Sequence, residues 1–362
     1  MNDPRRDLRP AYVLGLAAAY GVVHAILDAP CAALLVRLRV SASLPENTVW
    51  ILFIIYSCLA FGLQFSIGAL ADRTRGYQAA MLLGLGMLCL AITVFLDVPQ
   101  VALVLAGIGN AVFHVGAGAI VLRLSPRRAL AAGLYVAPGS IGLALGGWCA
   151  QAVPHWNWLL LGPLLAGMAL VWVLDGQTVS QRRPFPAPIP IRRPVACLAV
   201  AALVISVAVR AALGLTVSRV HNGESYVLLL LAVAACLGKV SGGLLADRLG
   251  WIKTSVVALL LSAPLLGLFT QSGPLVIVGM LLFQMTMPVT LLAVYRVFPE
   301  EPGLAFGIPS LAILLGALPV FVLPLDRLAG SATLLFLIAI SIAALLVGLP
   351  PLLRPKSQAC SH

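Results

Sequence analysis

Charged residues are scarce in this sequence. Only 10% of its 362 residues are Asp, Glu, Lys or Arg, while 61% are hydrophobic, and a soluble domain carries about 25% charged residues. The composition therefore predicts an integral membrane protein. Acidic residues are fewest, 12 against 23 Lys and Arg, for a net charge of +11. Since the arginines fall in short clusters between apolar runs, we expect a lipid bilayer as partner and no nucleic acid.

Several chemical signatures are also missing. No P-loop is present, which argues against direct ATP hydrolysis. No CxxC or Cys/His finger spacing appears among the seven cysteines, so no metal or other cofactor is expected. Polar residues inside the apolar runs occur singly, so we expect no catalytic residues and no enzyme. The first apolar run is too long for a cleaved signal peptide and is expected to be retained.

Twelve apolar runs are long enough to cross a bilayer, which takes about 20 helical residues. They predict an all-α integral membrane protein with twelve transmembrane helices, over residues 11–36, 48–71, 78–96, 99–122, 129–153, 157–174, 194–217, 225–246, 253–271, 274–296, 303–324 and 331–352.

Basic residues predict the orientation. With the N-terminus inside, most arginines and lysines flank the cytoplasmic ends of the runs, including Arg5, Arg6, Arg9, Arg354 and Lys356. An even number of helices then places both termini in the cytoplasm. We expect a multi-pass protein of a bacterial inner membrane.

The chain divides into two similar halves. A Pro- and Arg-rich stretch, "DGQTVSQRRPFPAPIPIRRP", suits an extended cytoplasmic linker. On either side of it, "SIGALADRTRG" (66–76) recurs as "SGGLLADRLGW" (241–251). An internal repeat of this kind predicts pseudo-symmetric bundles. We expect an N-terminal six-helix bundle over 1–174, a linker over 175–193 and a C-terminal six-helix bundle over 194–362.

These features resemble the major facilitator superfamily, which has two six-helix halves and a G-x-L-A-D-R motif after helices two and eight. The matching residues are Gly68, Leu70, Ala71, Asp72, Arg73, Gly243, Leu245, Ala246, Asp247 and Arg248. The resemblance covers essentially the whole chain. It implies a monomeric rocker-switch secondary transporter with no cofactor, in which helices one, four, seven and ten line a central cavity. It also implies that the acidic motif residues meet helix N-termini of the opposite half, so Asp72, Arg73, Asp247 and Arg248 would form a conformational latch.

Within the superfamily, the chain is similar to the fosmidomycin-resistance-like efflux branch. An H-x-x-x-D pattern matches at His24 and Asp28, and an F-H-P-E-G pattern matches at Phe113 and His114. Val115 and Gly116 replace the Pro and Glu of that second pattern.

Two opposite charges lie at similar depth in pseudo-equivalent helices. Counting about 1.5 Å per helical residue puts Asp28 roughly 28 Å and Arg210 roughly 25 Å from the cytoplasmic charge clusters. We expect these two residues to form an ion pair at an outer gate when the protein faces inward, or else to be satisfied separately by water and backbone. His24 lies one turn from Asp28 and titrates near about 6.5 when unperturbed. It is interpreted as a proton-coupling residue, with helix packing as the alternative.

Further polar residues are candidates for lining the cavity and contacting a small-molecule substrate, with helix packing as the alternative. Cations outnumber carboxylates among all these residues, which favours an anionic or zwitterionic substrate. The predicted contacts are Tyr20, Asn110, His114, Gln64, Lys239, Gln284 and Met287.

The function expected from these residues is proton-coupled transport of a small organic compound, with export favoured. The alternative is transport of a transition metal or its chelate by His24, His114 and Met287, since the repeat places Met287 opposite His114. Depth counting argues against one shared site, because the two histidines differ by roughly 8–9 Å along the membrane normal. A non-transporting membrane sensor on the same fold is the third hypothesis.

Overall fold

The computed structural model describes residues 10–40, 45–174, 176–181, 184–221 and 225–353, and within these ranges the chain forms helices and no strands. Twelve long helices follow one another: α1 Pro10–Val40, α2 Asn47–Thr74, α3 Tyr77–Val94, α4 Pro99–Leu124, α5 Ala129–Ala152, α6 Trp156–Val173, α7 Arg193–Val220, α8 Ser225–Leu249, α9 Trp251–Gly267, α10 Gly273–Val297, α11 Pro302–Val322 and α12 Ser331–Leu353. Two short helices lie between them, Gly176–Gln181 and Leu325–Leu328.

The predicted all-helical membrane architecture is confirmed. Eleven of the helices are long and apolar enough to span a bilayer, and α9, with 17 residues, is slightly shorter. Their bounds differ from the predicted runs by a few residues. The basic residues expected at the two chain ends, with Arg182 and Arg183 of the linker, lie outside the described residues.

Four helices are interrupted, and in α12 the break at Leu349 separates Ser331–Gly348 from Pro350–Leu353. α2 contains a π-helical turn over Cys58–Gly62. α5 consists of Ala129–Val136 and Pro138–Ala152, because Pro138 has no N–H to continue the hydrogen-bond ladder. α10 consists of Gly273–Gln284 and Met287–Val297, separated by a turn at Met285 and Thr286. Such breaks in membrane helices leave backbone groups that other residues must satisfy.

Helices of the N-terminal half pack mainly on one another, with α3 against α4 and α1 against α5 and α6. In the C-terminal half, α7 packs on α11 and α12, and α8 on α10. The two halves meet where α2 contacts α11 and where α5 contacts α8. Each contact joins residues that lie beside two of the short turns between helices. These four turns, α2–α3, α4–α5, α8–α9 and α10–α11, lie at the same end of the bundle. We call this the latch end.

Small residues permit the closest helix contacts. On α5, a side-chain carbon at Gly142 or Gly146 would collide with the backbone of Ala25 or Ala29 on α1. Between the halves, Gly68 on α2 lies against Gly303 on α11 in the same way. Lipid offers no hydrophobic gain for helix association, so this backbone proximity is a main source of packing energy.

The α1–α5 contact gives a matched test of packing. Gly146→Ala should lower the unfolding free energy by about 1–3 kcal/mol, since the new methyl group meets the Ala29 backbone. Gly147→Ala is the control, because its methyl group would only touch Val36 at 3.7 Å. Thermal melting of both purified variants in detergent measures the difference. Equal melting temperatures would contradict the described α1–α5 packing.

Candidate functional site

Three titratable side chains meet between α1 and α4. His24 Nε2 lies 2.8 Å from His114 Nε2 and 3.0 Å from Asp28 Oδ2. His114 Nε2 lies 3.7 Å from Asp28 Oδ1. All three side chains are buried. We call His24, Asp28 and His114 together the cation cluster.

Hydrogen-bond partners fix the protonation of both rings. His24 Nδ1 lies 3.0 Å from the carbonyl oxygen of Tyr135, and His114 Nδ1 lies 2.8 Å from that of Asn110. A carbonyl oxygen only accepts, so each Nδ1 carries a proton. A neutral imidazole has a single N–H, and both Nε2 atoms would therefore point lone pairs at each other and at a carboxylate. This arrangement requires a cation among the three groups, either an added proton or a metal ion.

Helix α5 provides part of the cluster through its kink at Pro138. Ser140 N bonds to the carbonyl of Ala137 rather than to that of Val136. The carbonyl of Val136 is thereby available to side chains of other helices. The Tyr135 carbonyl, one residue earlier, accepts from His24 Nδ1. Gly139 provides the space, since any side chain there would collide with His24 and Asp28.

Asn110 and an aromatic residue complete the surroundings. Asn110 donates from Nδ2 to Asp28 Oδ1 at 3.2 Å, and its own Oδ1 has no hydrogen-bond partner. Phe306, on α11 of the opposite half, stacks on His114 with ring centroids 6.4 Å apart and lies 5.9 Å from the Tyr135 ring. A residue near the latch end of the C-terminal half therefore covers the cluster of the N-terminal half.

The structure corrects the expectation that His24 and His114 are too far apart to share a site. Their separation had been estimated from Cα depth alone. Side chains on a helix lean toward its N-terminus, and α1 and α4 run in opposite directions. The two imidazoles therefore reach toward each other and close the gap.

Arg210 lies in a separate polar site between α7 and α10. Its guanidinium donates to the carbonyl of Ser206 at 3.2 Å, to the hydroxyl of Thr286 and to the hydroxyl of Thr290 at 2.9 Å. Among the described residues it makes no ion pair, and Asp28 pairs only with histidines. The expected Asp28–Arg210 pair is thus not formed in this structure. Since it was predicted for the inward-facing state, it remains a prediction for that state.

Arg37 and Arg219 support the pseudo-equivalence of α1 and α7. Each lies nine residues after Asp28 or Arg210. Arg37 donates to the carbonyl of Val153, just after α5, and Arg219 to that of Val320, on α11. The two halves repeat this contact.

Lys239 and Gln64 lie where the halves meet. Lys239 Nζ, on α8, donates to Ser140 Oγ at 2.6 Å and to the Val136 carbonyl at 3.3 Å. Gln64 donates to the Ala60 carbonyl of its own helix at 2.6 Å and is buried where α2 meets Gly307. Gln64 therefore contributes to the interface between the halves.

Two other predicted cavity residues occupy different places. The ring of Tyr20 packs against Gly176 of the short helix after α6. Gln284 lies against Gly238 of α8 and approaches the sulfur of Met280. Its position is therefore between α8 and α10.

Met287 lines a cavity of about 20 Å³, room for one water molecule, with Thr290, Phe306 and other residues. The residues of α10 that face the central charge of α7 are Thr286 and Thr290, because the turn at Met285 and Thr286 shifts the register of the second segment.

Both motif aspartates bind helix N-termini of the opposite half. Asp72 accepts from the backbone N–H groups of Gly303 and Leu304 on α11, both at 2.8 Å. Asp247 accepts from those of Ala129 and Leu130 on α5, at 2.7 and 3.0 Å. These are free N–H groups at the positive end of a helix. Their motif partners Arg73 and Arg248 are exposed at the same end.

Sequence reasoning missed several residues of these sites. Thr286 and Thr290 had a visible signal, since two hydroxyls four residues apart share one face of an apolar helix. Tyr135 acts through its backbone carbonyl, and Phe306 through its place in the other half, so neither carries a sequence signal. The missed residues are Tyr135, Gly139, Ser140, Thr286, Thr290 and Phe306.

Solved structures of transporters share this fold. The chain superposes on the outward conformation of FucP, an Escherichia coli fucose:proton symporter, with a TM-score of 0.69 and 16% identity, covering 94% of this chain and 99% of that one. For the human organic anion transporter MFSD10, the TM-score is 0.70 at 16% identity, with 94% and 100% covered. For an outward-facing bacterial homologue of the iron transporter ferroportin, it is 0.63 at 16% identity, with 94% and 98% covered.

No curated protein matches the sequence. The family profile described as Major Facilitator Superfamily matches residues 10–320, most of the chain and all but the last of its long helices. The protein is therefore a transporter rather than an enzyme, and the chain belongs to the Major Facilitator Superfamily.

Proposed function

We propose that this protein is a proton-coupled secondary transporter that moves a small anionic or zwitterionic organic compound across a bacterial inner membrane. The cation cluster supports this proposal above all, since two Nδ1-protonated histidines and a carboxylate require an added cation. A proton fits the 2.8 Å gap between the two Nε2 atoms as an ordinary charge-assisted hydrogen bond. One of the similar structures is a fucose:proton symporter.

The proposed cycle is rocker-switch alternating access by a monomer. We propose that both termini lie in the cytoplasm, which makes the latch end cytoplasmic. The aspartate contacts then close the cytoplasmic side, as expected of the outward conformation found in FucP and in the ferroportin homologue. Proton entry from outside would load the cluster. Release of the two aspartate contacts would then separate the halves, withdraw Phe306 and open the site inward. The proton would leave to the cytoplasm and a substrate would bind from that side, so we propose export in exchange for protons.

An anionic or zwitterionic substrate is supported by the charges around the interior. Arg210 and Lys239 are cations held by neutral groups. Among the described residues, Asp28 is the acidic group at this depth, and its neighbours are the two histidines and Asn110. The similar MFSD10 is an organic anion transporter. The fosmidomycin-resistance-like branch is proposed from His24, Asp28, Phe113 and His114, which match its patterns.

Asp28→Asn tests the proton coupling. The variant keeps the shape and the Asn110 contact but loses the charge that helps to hold the proton. A hydrogen bond to a charged group contributes about 1.5–3 kcal/mol, so pH-gradient-driven accumulation should fall about tenfold or more. Exchange without a gradient should persist. Proteoliposomes with an imposed pH gradient measure both, using organic anions first selected by thermal shift.

Asp97→Asn is the matched control, since Asp97 is an exposed carboxylate in the turn after α3. Full gradient-driven accumulation by Asp28→Asn would refute the coupling role of the cluster. Binding of the selected compound without flux in wild type would favour the membrane-sensor hypothesis.

A transition metal is the second candidate substrate, because one donor atom from each of His24, Asp28 and His114 lies within 4.8 Å of the others. Imidazole and carboxylate suit Zn²⁺ and Fe²⁺. Zn²⁺ uptake into proteoliposomes that is lost in both His24→Ala and His114→Ala, and retained in Met287→Leu, would support this candidate. Zn²⁺-independent transport of an organic anion by wild type would rule it out.

The latch gives a conformational prediction. Asp72→Asn with Asp247→Asn removes two negative charges from helix N-termini, each contact contributing about 0.3–1 kcal/mol or more. The open latch end should become more populated, and spin labels at Arg73→Cys and Arg248→Cys should move apart. The background carries serine at all seven native cysteine positions, so that only the two introduced thiols are labelled. An unchanged distance distribution would contradict the latch, and Asp97→Asn is the charge control.

A further inference from the structure

The buried guanidinium of Arg210 has hydrogen-bond partners but no counter-charge. Its three contacts are a carbonyl and two hydroxyls, and among the described residues no carboxylate pairs with it. Arg210 is only 6% exposed. A buried charge of this kind is costly unless a partner of opposite charge joins it.

The two threonines stabilise the geometry of Arg210 without neutralising it. Thr286 Oγ1 lies 3.2 Å from the carbonyl of Phe283, and Thr290 Oγ1 lies 3.0 Å from that of Met287. Each hydroxyl thus donates to its own helix and accepts from the arginine. Arginine has five N–H donors, so one N–H on each terminal nitrogen is left over.

The N-terminus of the second segment of α10 also favours a bound anion. Thr286 lies at the turn that precedes the second segment, Met287–Val297, and Arg210 bonds to it. The positive end of this segment therefore lies beside a positive side chain. In membrane transporters, broken helices of this kind direct their N-termini at anionic substrate groups.

The site repeats the construction of the cation cluster with the opposite sign. In the N-terminal half, Asp28 of the first helix meets residues 110 and 114 of the fourth. In the C-terminal half, Arg210 of the first helix meets residues 286 and 290 of the fourth. The site in the N-terminal half therefore favours a bound cation, and the site in the C-terminal half favours a bound anion.

We propose that Arg210, Thr286 and Thr290 form the binding site for a carboxylate group of the transported compound. The guanidinium is planar, and the unused N–H groups on its two terminal nitrogens can donate to the two oxygens of one carboxylate. This inference rests on the proposed function and names its substrate class.

Carboxylate binding can be measured without a gradient on the full chain in detergent. Acetate, benzoate and succinate replace chloride at constant ionic strength, and thermal melting is recorded. At least one carboxylate should raise the melting temperature of wild type saturably. Arg210→Gln should abolish the rise, and Arg210→Lys should weaken the apparent affinity about tenfold, because a lysine offers no parallel pair of donors.

Arg219→Gln is the control, since Arg219 lies on the same helix but donates to the Val320 carbonyl, and it should keep the rise. No saturable rise with any of the three carboxylates, a rise that persists in Arg210→Gln, or a rise with inorganic phosphate alone would overturn the inference. Where Arg210→Gln yields no folded protein, Arg210→Lys decides.

The two proposals fail separately. Carboxylate binding without any pH-driven flux would contradict the proton coupling alone. Flux driven by pH for an anion that lacks a carboxylate group, without carboxylate binding, would contradict only the carboxylate site.

Discussion

The N-terminal half depends on one electrostatic constraint. The Nε2 atoms of His24 and His114 point their lone pairs at each other, beside the Asp28 carboxylate. His24 and His114 cannot relieve this contact by changing tautomer, because each Nδ1 already donates to a backbone carbonyl. The cluster is buried, so electrostatic repulsion within it is only weakly screened. A cation must balance it, and a site that must gain or lose a cation is suited to coupling.

Helix α5 connects this requirement to the rest of the bundle. Its proline kink makes the carbonyl of Val136 available to Lys239 of the other half, and the Tyr135 carbonyl, one residue earlier, accepts from His24 of the same half. Gly139 leaves room for the cluster itself. A change in the charge of the cluster therefore acts on the helix that also binds Asp247 through its N-terminus, which links the cation site to the contact between the halves.

Much of the fold follows from sequence pattern alone. Apolar runs of bilayer length predict the helices, and the repeated G-x-L-A-D-R motif predicts two similar halves. The contacts between individual side chains do not follow from these patterns. A count of about 1.5 Å per helical residue gives the depth of each backbone position and ignores the direction of the side chain. It therefore overestimates the distance between the His24 and His114 rings. The internal repeat pointed to Met287 as the residue of α10 equivalent to His114, whereas Thr286 and Thr290 are the residues of α10 that contact Arg210.

The membrane class, the twelve helices and the short list of buried polar residues follow from the amino-acid pattern, because lipid excludes charge and requires backbone groups to be paired within helices. Which of those polar residues meet depends on how the helices pack. This packing brings Asp28 to two histidines rather than to Arg210, and leaves Arg210 with neutral hydroxyls. The physical reason is that antiparallel helix direction, a proline kink and a broken helix set side-chain positions, and none of these can be obtained by counting residues along a single run.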